Sequence, residues 1–273
     1  MSAVLNESVL SKYMEEAKSL GGDLGITVRP LTAKELTRFG RAFERQFIRA
    51  LEDMEMRAIH MRHIKEALLG AMIAKEQMDA EIDGELPASN KVGGPVPIRA
   101  CWLGIGDDWE DIYSIYNTAA GVWTTGAPQN WIHSGTLLMG GTGGNAVRIG
   151  KNAVHVIYGL YSLHASPKVE SVKFTIDQKA KPILQTHWAQ KVAPGMSQKI
   201  KELDTAFIFK RDTNVLAQVF ISHAFGDYSA TQCDFPALYG VSYIKEPALR
   251  LHDPVTGAGR VLPGVNYDVV YTT

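Results

Sequence analysis

Five cations, Lys34, Arg38, Arg41, Arg45 and Arg49, follow one another at steps of four, three, four and four. At roughly 100° per residue such a row lies along one side of a helix, opposite the apolar stripe Phe39, Phe43 and Phe47. A cationic row of this kind touches phosphate or an acidic partner surface, so nucleic acid and acidic protein are its candidate partners. The same row also serves as a solvated face paired with Glu35, Glu44, Glu52 and Asp53.

The remaining chemistry-bearing groups are less organised. Gly106-Asp107-Asp108-Trp109-Glu110-Asp111 is the densest acidic cluster, and hard cations favour such oxygen ligands. Its spacing is not that of an EF-hand, so Asp107, Asp108, Glu110 and Asp111 read first as a polar loop and no metal is expected. Gly140-Gly141-Thr142-Gly143-Gly144-Asn145 is followed by Gly150-Lys151-Asn152 without the correct glycine or hydroxyl of a P-loop, and Ala146-Val147-Arg148-Ile149 reads as strand rather than helix. It is expected to be a loop tip. His60 and His63 stand three apart, near enough to share a metal, but belong to no zinc or di-iron motif; His60 is expected to be exposed or hydrogen-bonded. His133, His155, His164, His187, His223 and His252 are scattered, and His155 lacks the neighbouring histidine that a cupin requires. Ser134-Gly135 and Ser166-Pro167 lack a hydrolase elbow. Trp102, Trp109, Trp123, Trp131 and Trp188, with Tyr158 and Tyr161, suit either a carbohydrate groove or a core. No residue is assigned a catalytic role and no cofactor is expected, which leans against an enzyme.

The elements that must position these groups begin with Thr32–Ile82, a proline-free amphipathic run. Thr32-Ala33-Lys34-Glu35 fits a capping box, with Pro30 blocking earlier continuation and Leu31 placed as a staple. Leu36, Phe39, Phe43, Phe47, Leu51, Met54, Ala58, Met61, Ile64, Leu68 and Met72 recur by threes and fours, the mark of a buried helical face. The run reads as one long helix or two stacked ones; unbroken it would reach about 75 Å, so it must either break, with Gly40 and Gly70 as the weak points, or reach toward something else. Met56 and Ile59 on the other side predict a second buried face, covered by a neighbour. Before this run, Asn6 or Ser8 caps a short helix that Gly21-Gly22 ends.

Composition narrows the class. The chain has 273 residues, 45% of them hydrophobic and 21% charged, with a net charge of −1, as in ordinary globular proteins and unlike a dedicated nucleic-acid binder. Cys101 and Cys233 give no disulfide framework. The N-terminal stretch does not read as a signal peptide, and no apolar run approaches a membrane span; a cytoplasmic or virion location is expected.

Asp83-Gly84, Pro87, Gly93-Gly94, Pro95 and Pro97 predict a linker at 83–97 between a helical arm (1–82) and a β domain (98–273). Strand-like runs are expected at 98–104, 111–116, 120–125, 135–139, 152–163, 169–176, 181–188, 205–211, 214–223, 237–244, 248–252 and 267–272, with a brief helix at Met196–Leu203. Hairpin turns are expected at Asp177-Gln178 and Asp212-Thr213. The fold class is therefore α+β: an N-terminal helical arm with a long helix, then an antiparallel, jelly-roll-like β-sandwich.

In the strand density of residues 98–252, the chain resembles jelly-roll coat and accessory proteins of virus particles. The resemblance implies a structural, self-assembling subunit forming a homo-oligomer or larger assembly, with the arm reaching a neighbour or facing a packaged genome. Lys34, Arg38, Arg41, Arg45 and Arg49 would then be the contact residues. The alternative is a cupin-like or carbohydrate-binding β-sandwich enzyme or binding protein.

Overall fold

The computed structural model describes residues 5–51, 54–84, 91–98, 131–133, 147–149, 152–161, 169–181, 184–185, 200–221, 237–245, 250–252 and 259–261. The strands expected at 98–104, 111–116, 120–125, 135–139 and 267–272 lie outside these residues, 98 apart. So do the acidic cluster and the glycine-rich loop.

Helix α1 (Glu7–Asp23) is capped by Asn6, whose side chain accepts from the Val9 amide at 2.9 Å. It continues past Gly21-Gly22, and the left-handed turn falls instead on Gly25 (φ +65°). Helix α2 (Ala33–Phe43) opens on the expected capping box. Thr32 Oγ1 accepts from the Glu35 amide at 3.3 Å, and the Glu35 carboxylate accepts from the Thr32 amide at 2.8 Å.

The expected long helix is corrected. After Phe43 the backbone widens into a π-helical segment, Glu44–Arg49. Helix α3 (Met54–Arg62) follows, the chain breaks again at His63 (φ −97°, ψ 19°), and α4 (Ile64–Met78) completes the layer. Neither glycine is the breaking point. Each is where the helix comes closest to something else: a Cβ at Gly40 would lie 2.5 Å from Leu10 Cδ1, and one at Gly70 would lie 2.4 Å from Val156 Cγ2.

One antiparallel sheet has the order β1-β10-β4-β8, built from β1 (Val92–Pro97), β4 (Ala153–Tyr161), β8 (Ile200–Phe209) and β10 (Ala237–Lys245). A second has the order β2-β9-β5-β6, from β2 (Trp131–His133), β5 (Val169–Ile176), β6 (Lys179–Ala180) and β9 (Asn214–Ile221). Short β3 (Val147–Arg148) and β7 (Leu184–Gln185) add to β9 and β5, and β11 (Arg250–His252) pairs with β12 (Gly259–Val261). With β3 and β7 set aside, the pairing in the two sheets is nested: β1 with β10, β2 with β9, β4 with β8, and β5 with β6. The chain thus behaves as one long antiparallel hairpin folded over into two sheets.

Several expectations change here. Residues 92–97, read as linker, form edge strand β1. Its prolines are tolerated because an edge needs fewer ladder bonds, and its outer side is bridged by Val92 N to Glu81 O at 2.9 Å and Asp83 N to Val92 O at 2.8 Å. Ile200–Phe209 is a strand, which overturns the helix expected up to Leu203. Asp177 and Gln178 (φ 48° and 66°) make the expected two-residue hairpin turn between β5 and β6. Asp212 (φ 62°) also turns, but β8 and β9 on either side of it belong to different sheets.

Alternation along β4 gives the first sheet two buried faces. Val154, Val156 and Tyr158 join Tyr239, Val241 and Tyr243 in a core shared with Leu68, Met72 and the other buried residues of α4. On the opposite face, buried His155 is hydrogen-bonded through Nδ1 to Ser242 Oγ at 2.8 Å. Its cross-strand neighbour Phe209 lies 6.4 Å, centroid to centroid, from Phe174 of the second sheet. Each fully buried Leu or Met of α4 contributes about 1.5–3 kcal/mol, so α4 is the element that fastens the helices to the sheet. Its far side is closed by α1, where Gly21 lets Leu69 approach: a Cβ there would meet Leu69 Cδ1 at 3.1 Å. Ile59 is buried and Met56 half-buried. The expectation that a neighbouring molecule must cover the helix's second face is therefore corrected, since the chain's own helices and sheet cover it.

Candidate functional site

The cationic row is borne by α2 and the π-helical segment. Phe39, Phe43 and Phe47 are buried and stack in series, at 5.6 and 5.2 Å between ring centroids, which fixes the helix orientation. Lys34, Arg41, Arg45 and Arg49 are exposed on the outside, and Arg38 is half-buried. Arg38 Nη1 meets Asp83 at 2.8 Å and Arg49 Nη2 meets Glu44 at 2.7 Å, both carboxylates of the same chain. Lys34, Arg41 and Arg45 are exposed along the same side of the helical run.

Behind this helix lies a buried ion pair that the sequence did not announce. Glu35, at 2% exposure, accepts from Lys75 Nζ at 2.6 Å, from Thr32 Oγ1 at 2.8 Å and from the Ile82 amide at 3.1 Å. Lys75 also donates to the Pro30 carbonyl at 3.0 Å. Burial pushes the Glu35 carboxyl up, but the Lys75 ammonium and the Thr32 and Ile82 donors outweigh it and hold the group below its ordinary value. A capping glutamate is thus also the joint between α2, α4 and the start of β1.

The densest cluster of ionisable side chains in the described fold gathers where α3 and α4 meet the sheet. His60, at 2% exposure, is hydrogen-bonded through Nδ1 to the Tyr158 hydroxyl. Its ring lies 4.4 Å from Phe47 and 4.5 Å from Tyr239, centroid to centroid, with Phe43 edge-on at 6.3 Å. His63 stacks on Tyr158 at 4.7 Å with an interplanar angle of 6°. Its Nε2 contacts Glu202 at 3.0 Å and its Nδ1 faces Glu66 at 3.5 Å. Arg62 donates to Glu202 at 2.8 Å. The Tyr239 hydroxyl donates to the Met56 carbonyl at 3.1 Å, and Tyr243 to the Ala67 carbonyl at 2.6 Å.

A local backbone feature places Tyr158 there. The register of β4 shifts between Ile157 and Gly159 against β8, and against β10 the shift falls between Tyr239 and Gly240. Bulges re-aim a side chain in this way. Gly240 permits it, because a Cβ there would lie 2.0 Å from the Val156 carbonyl oxygen.

The electrostatics follow from burial. Desolvation, reinforced by the charge of His63, holds His60 at about 3, so it is neutral in the folded protein. Burial, with Tyr239, Tyr243 and Glu66 nearby, pushes the Tyr158 phenol well up. The Arg62 hydrogen bond draws Glu202 down. Neutral His60 and the neutral Tyr158 phenol share a hydrogen bond, and the pair ties a helix to a strand. The spacing of His60 and His63 had suggested a shared metal. They instead take different partners, and among the described residues no three His, Cys, Asp or Glu side chains converge to hold an ion. Tyr158 stands 98 residues from His60, so no local spacing could have paired them. The weak acidic candidates Asp107, Asp108, Glu110 and Asp111 lie outside the described residues.

No helix among the described residues is long and apolar enough to cross a membrane. Set against known proteins, the chain matches no family model, no curated protein and no solved structure.

Proposed function

We propose that this chain is a structural subunit that assembles with copies of itself, in the specific form of a jelly-roll coat or accessory protein of a virus particle. The observation that carries the reading is the nested strand pairing, β1 with β10, β2 with β9, β4 with β8 and β5 with β6, divided over two sheets. Nested pairing of this kind, over a four-stranded and a six-stranded sheet, supports the jelly-roll reading, an architecture used by shell-forming proteins, lectins and cupins alike. The buried ionisable groups favour the first of these. Glu35–Lys75 ties α2 to α4 within the helical layer and His60–Tyr158 ties α3 to the sheet, as suits a rigid building block. Copies would not need the Met56–Ile59 side of α3, which the chain covers itself, whereas Met54 and Ala58, expected on the buried stripe, are exposed. The outward cations Lys34, Arg41 and Arg45 would face a polyanion such as a packaged genome.

Negative-stain electron microscopy of the concentrated protein, with metal analysis of the same sample, tests the reading. Regular shells, tubes or sheets support it. Dispersed single particles carrying stoichiometric zinc, iron or manganese would replace it with a cupin-type enzyme.

A further inference from the structure

The π-helical stretch and α3 are seated less deeply on the body than α4 is. In the π-helical stretch Glu44 and Phe47 are buried, and in α3 only Ile59 and His60 are. By contrast α4 is buried on nearly every side. Phe47 and the two tyrosines beneath α3 all meet at the His60 ring. His60 is therefore a buried point at which α3 is held on the sheet, beside the Tyr239–Met56 and Arg62–Glu202 bonds.

We propose that His60 is an acid-operated latch, and that proton uptake at its imidazole releases α3 (Met54–Arg62) from the sheet while α4 stays seated.

The groups around the ring decide why His60 and not its neighbour does this. Facing His60 are Tyr158 from β4, Tyr239 from β10, Phe43 and Phe47 from the preceding helical turns, and His63. The Tyr239 hydroxyl is already committed to Met56, and the one buried carboxylate of the π-helical stretch, Glu44, is committed to Arg49. An imidazolium at His63 meets Glu202 from β8 and Glu66 from α4. An imidazolium at His60 meets aromatic rings, two phenols and a second histidine. Of the charges on α3, Arg62 is bound to Glu202 and Arg57 to the Leu51 carbonyl. Opening the segment brings His60 into water, where it charges freely, so acid favours the open form. The low value imposed by burial, about 3 against 6.5, sets the span over which this acts.

Hydrogen–deuterium exchange of the full chain from pH 7 to pH 5, corrected for intrinsic rates, tests the latch. The opening constant of residues 54–62 is expected to rise about 25-fold over that range, with α4 and the β4–β10 pair unchanged. His60→Gln, which keeps a hydrogen-bonding group for Tyr158 and cannot charge, is expected to lose the rise. Uniform loss of protection in helices and sheet, an unchanged opening constant, or a rise that persists in His60→Gln would each overturn the proposal. If His60→Gln does not fold, imidazole nitrogen NMR of the wild-type protein decides. Proton uptake by His60 in step with opening upholds the latch, and a His60 that stays neutral while the segment opens refutes it.

Discussion

Replacing Gly70 with alanine sets two effects of opposite sign against each other. In an exposed helix interior the change would stabilise by about 1 kcal/mol, because alanine loses less backbone entropy. Here the new Cβ would sit 2.4 Å from Val156 Cγ2 and 2.9 Å from Tyr243 Cε2. Val156 is β-branched, fully buried and on a central strand, and Tyr243 is anchored by its hydroxyl to the Ala67 carbonyl at 2.6 Å. Neither can turn aside, so α4 must lift from the sheet. Over-packing of this kind costs about 1–3 kcal/mol, and contact with two fixed neighbours places it in the upper part of that range. The net expectation is a loss of about 1–2 kcal/mol, or a Tm lower by about 2–8 °C. Urea unfolding followed by circular dichroism measures it. Val156→Ala removes the closer obstacle, so the double variant is expected to be less destabilised than the sum of the singles by about 1 kcal/mol. A Gly70→Ala protein as stable as the wild type or more so, with no coupling to Val156, would refute the seating of α4 on this sheet.

Lys75→Met leaves the Glu35 carboxylate buried without its cation, and a broken buried pair costs about 3–5 kcal/mol. The remaining donors from Thr32 and Ile82 place the expected loss near 3 kcal/mol, and adding Glu35→Gln should recover part of it in the same urea assay. Glu35, Glu66 and Glu202 all sit below the ordinary carboxylate value of 4.5 when folded, so their stabilisation is present above that pH and is lost as pH falls through their lowered values. Glu202→Gln should accordingly flatten the urea midpoint between pH 5 and pH 3, while leaving intact the earlier decline below 6.5 that belongs to His60. If Lys34, Arg41 and Arg45 meet a polyanion, replacing all three with glutamine should lower the slope of log affinity against log salt by about 2–3 on duplex DNA; an unchanged slope removes the nucleic-acid partner.

What could be read from the sequence was local. The Thr32–Glu35 box, the Asn6 cap, the Asp177-Gln178 turn and the span of β5 each depend on a few adjacent residues, and all four are where their residue types require. The break of the long helix was hidden because the π-helical widening at Glu44–Arg49 and the stop at His63 use residues with no turn signal. Gly40 and Gly70 misled for a related reason: their missing side chains serve close packing. Pro95 and Pro97 looked like linker because propensity cannot tell an edge strand from a loop. The apolar spacing near Leu203 suited a helix until pairing with β4 claimed it for a sheet. Glu35–Lys75 and His60–Tyr158 were out of reach, since both join residues that only the folded topology brings together.

The central claim is that the rigid two-sheet body is a unit of assembly. Light scattering of the full-length protein across concentration tests it most directly. The expected result is a mass that climbs above the 30.0 kDa of one chain and settles at multiples of it. A mass of 30.0 kDa at every concentration would contradict the claim.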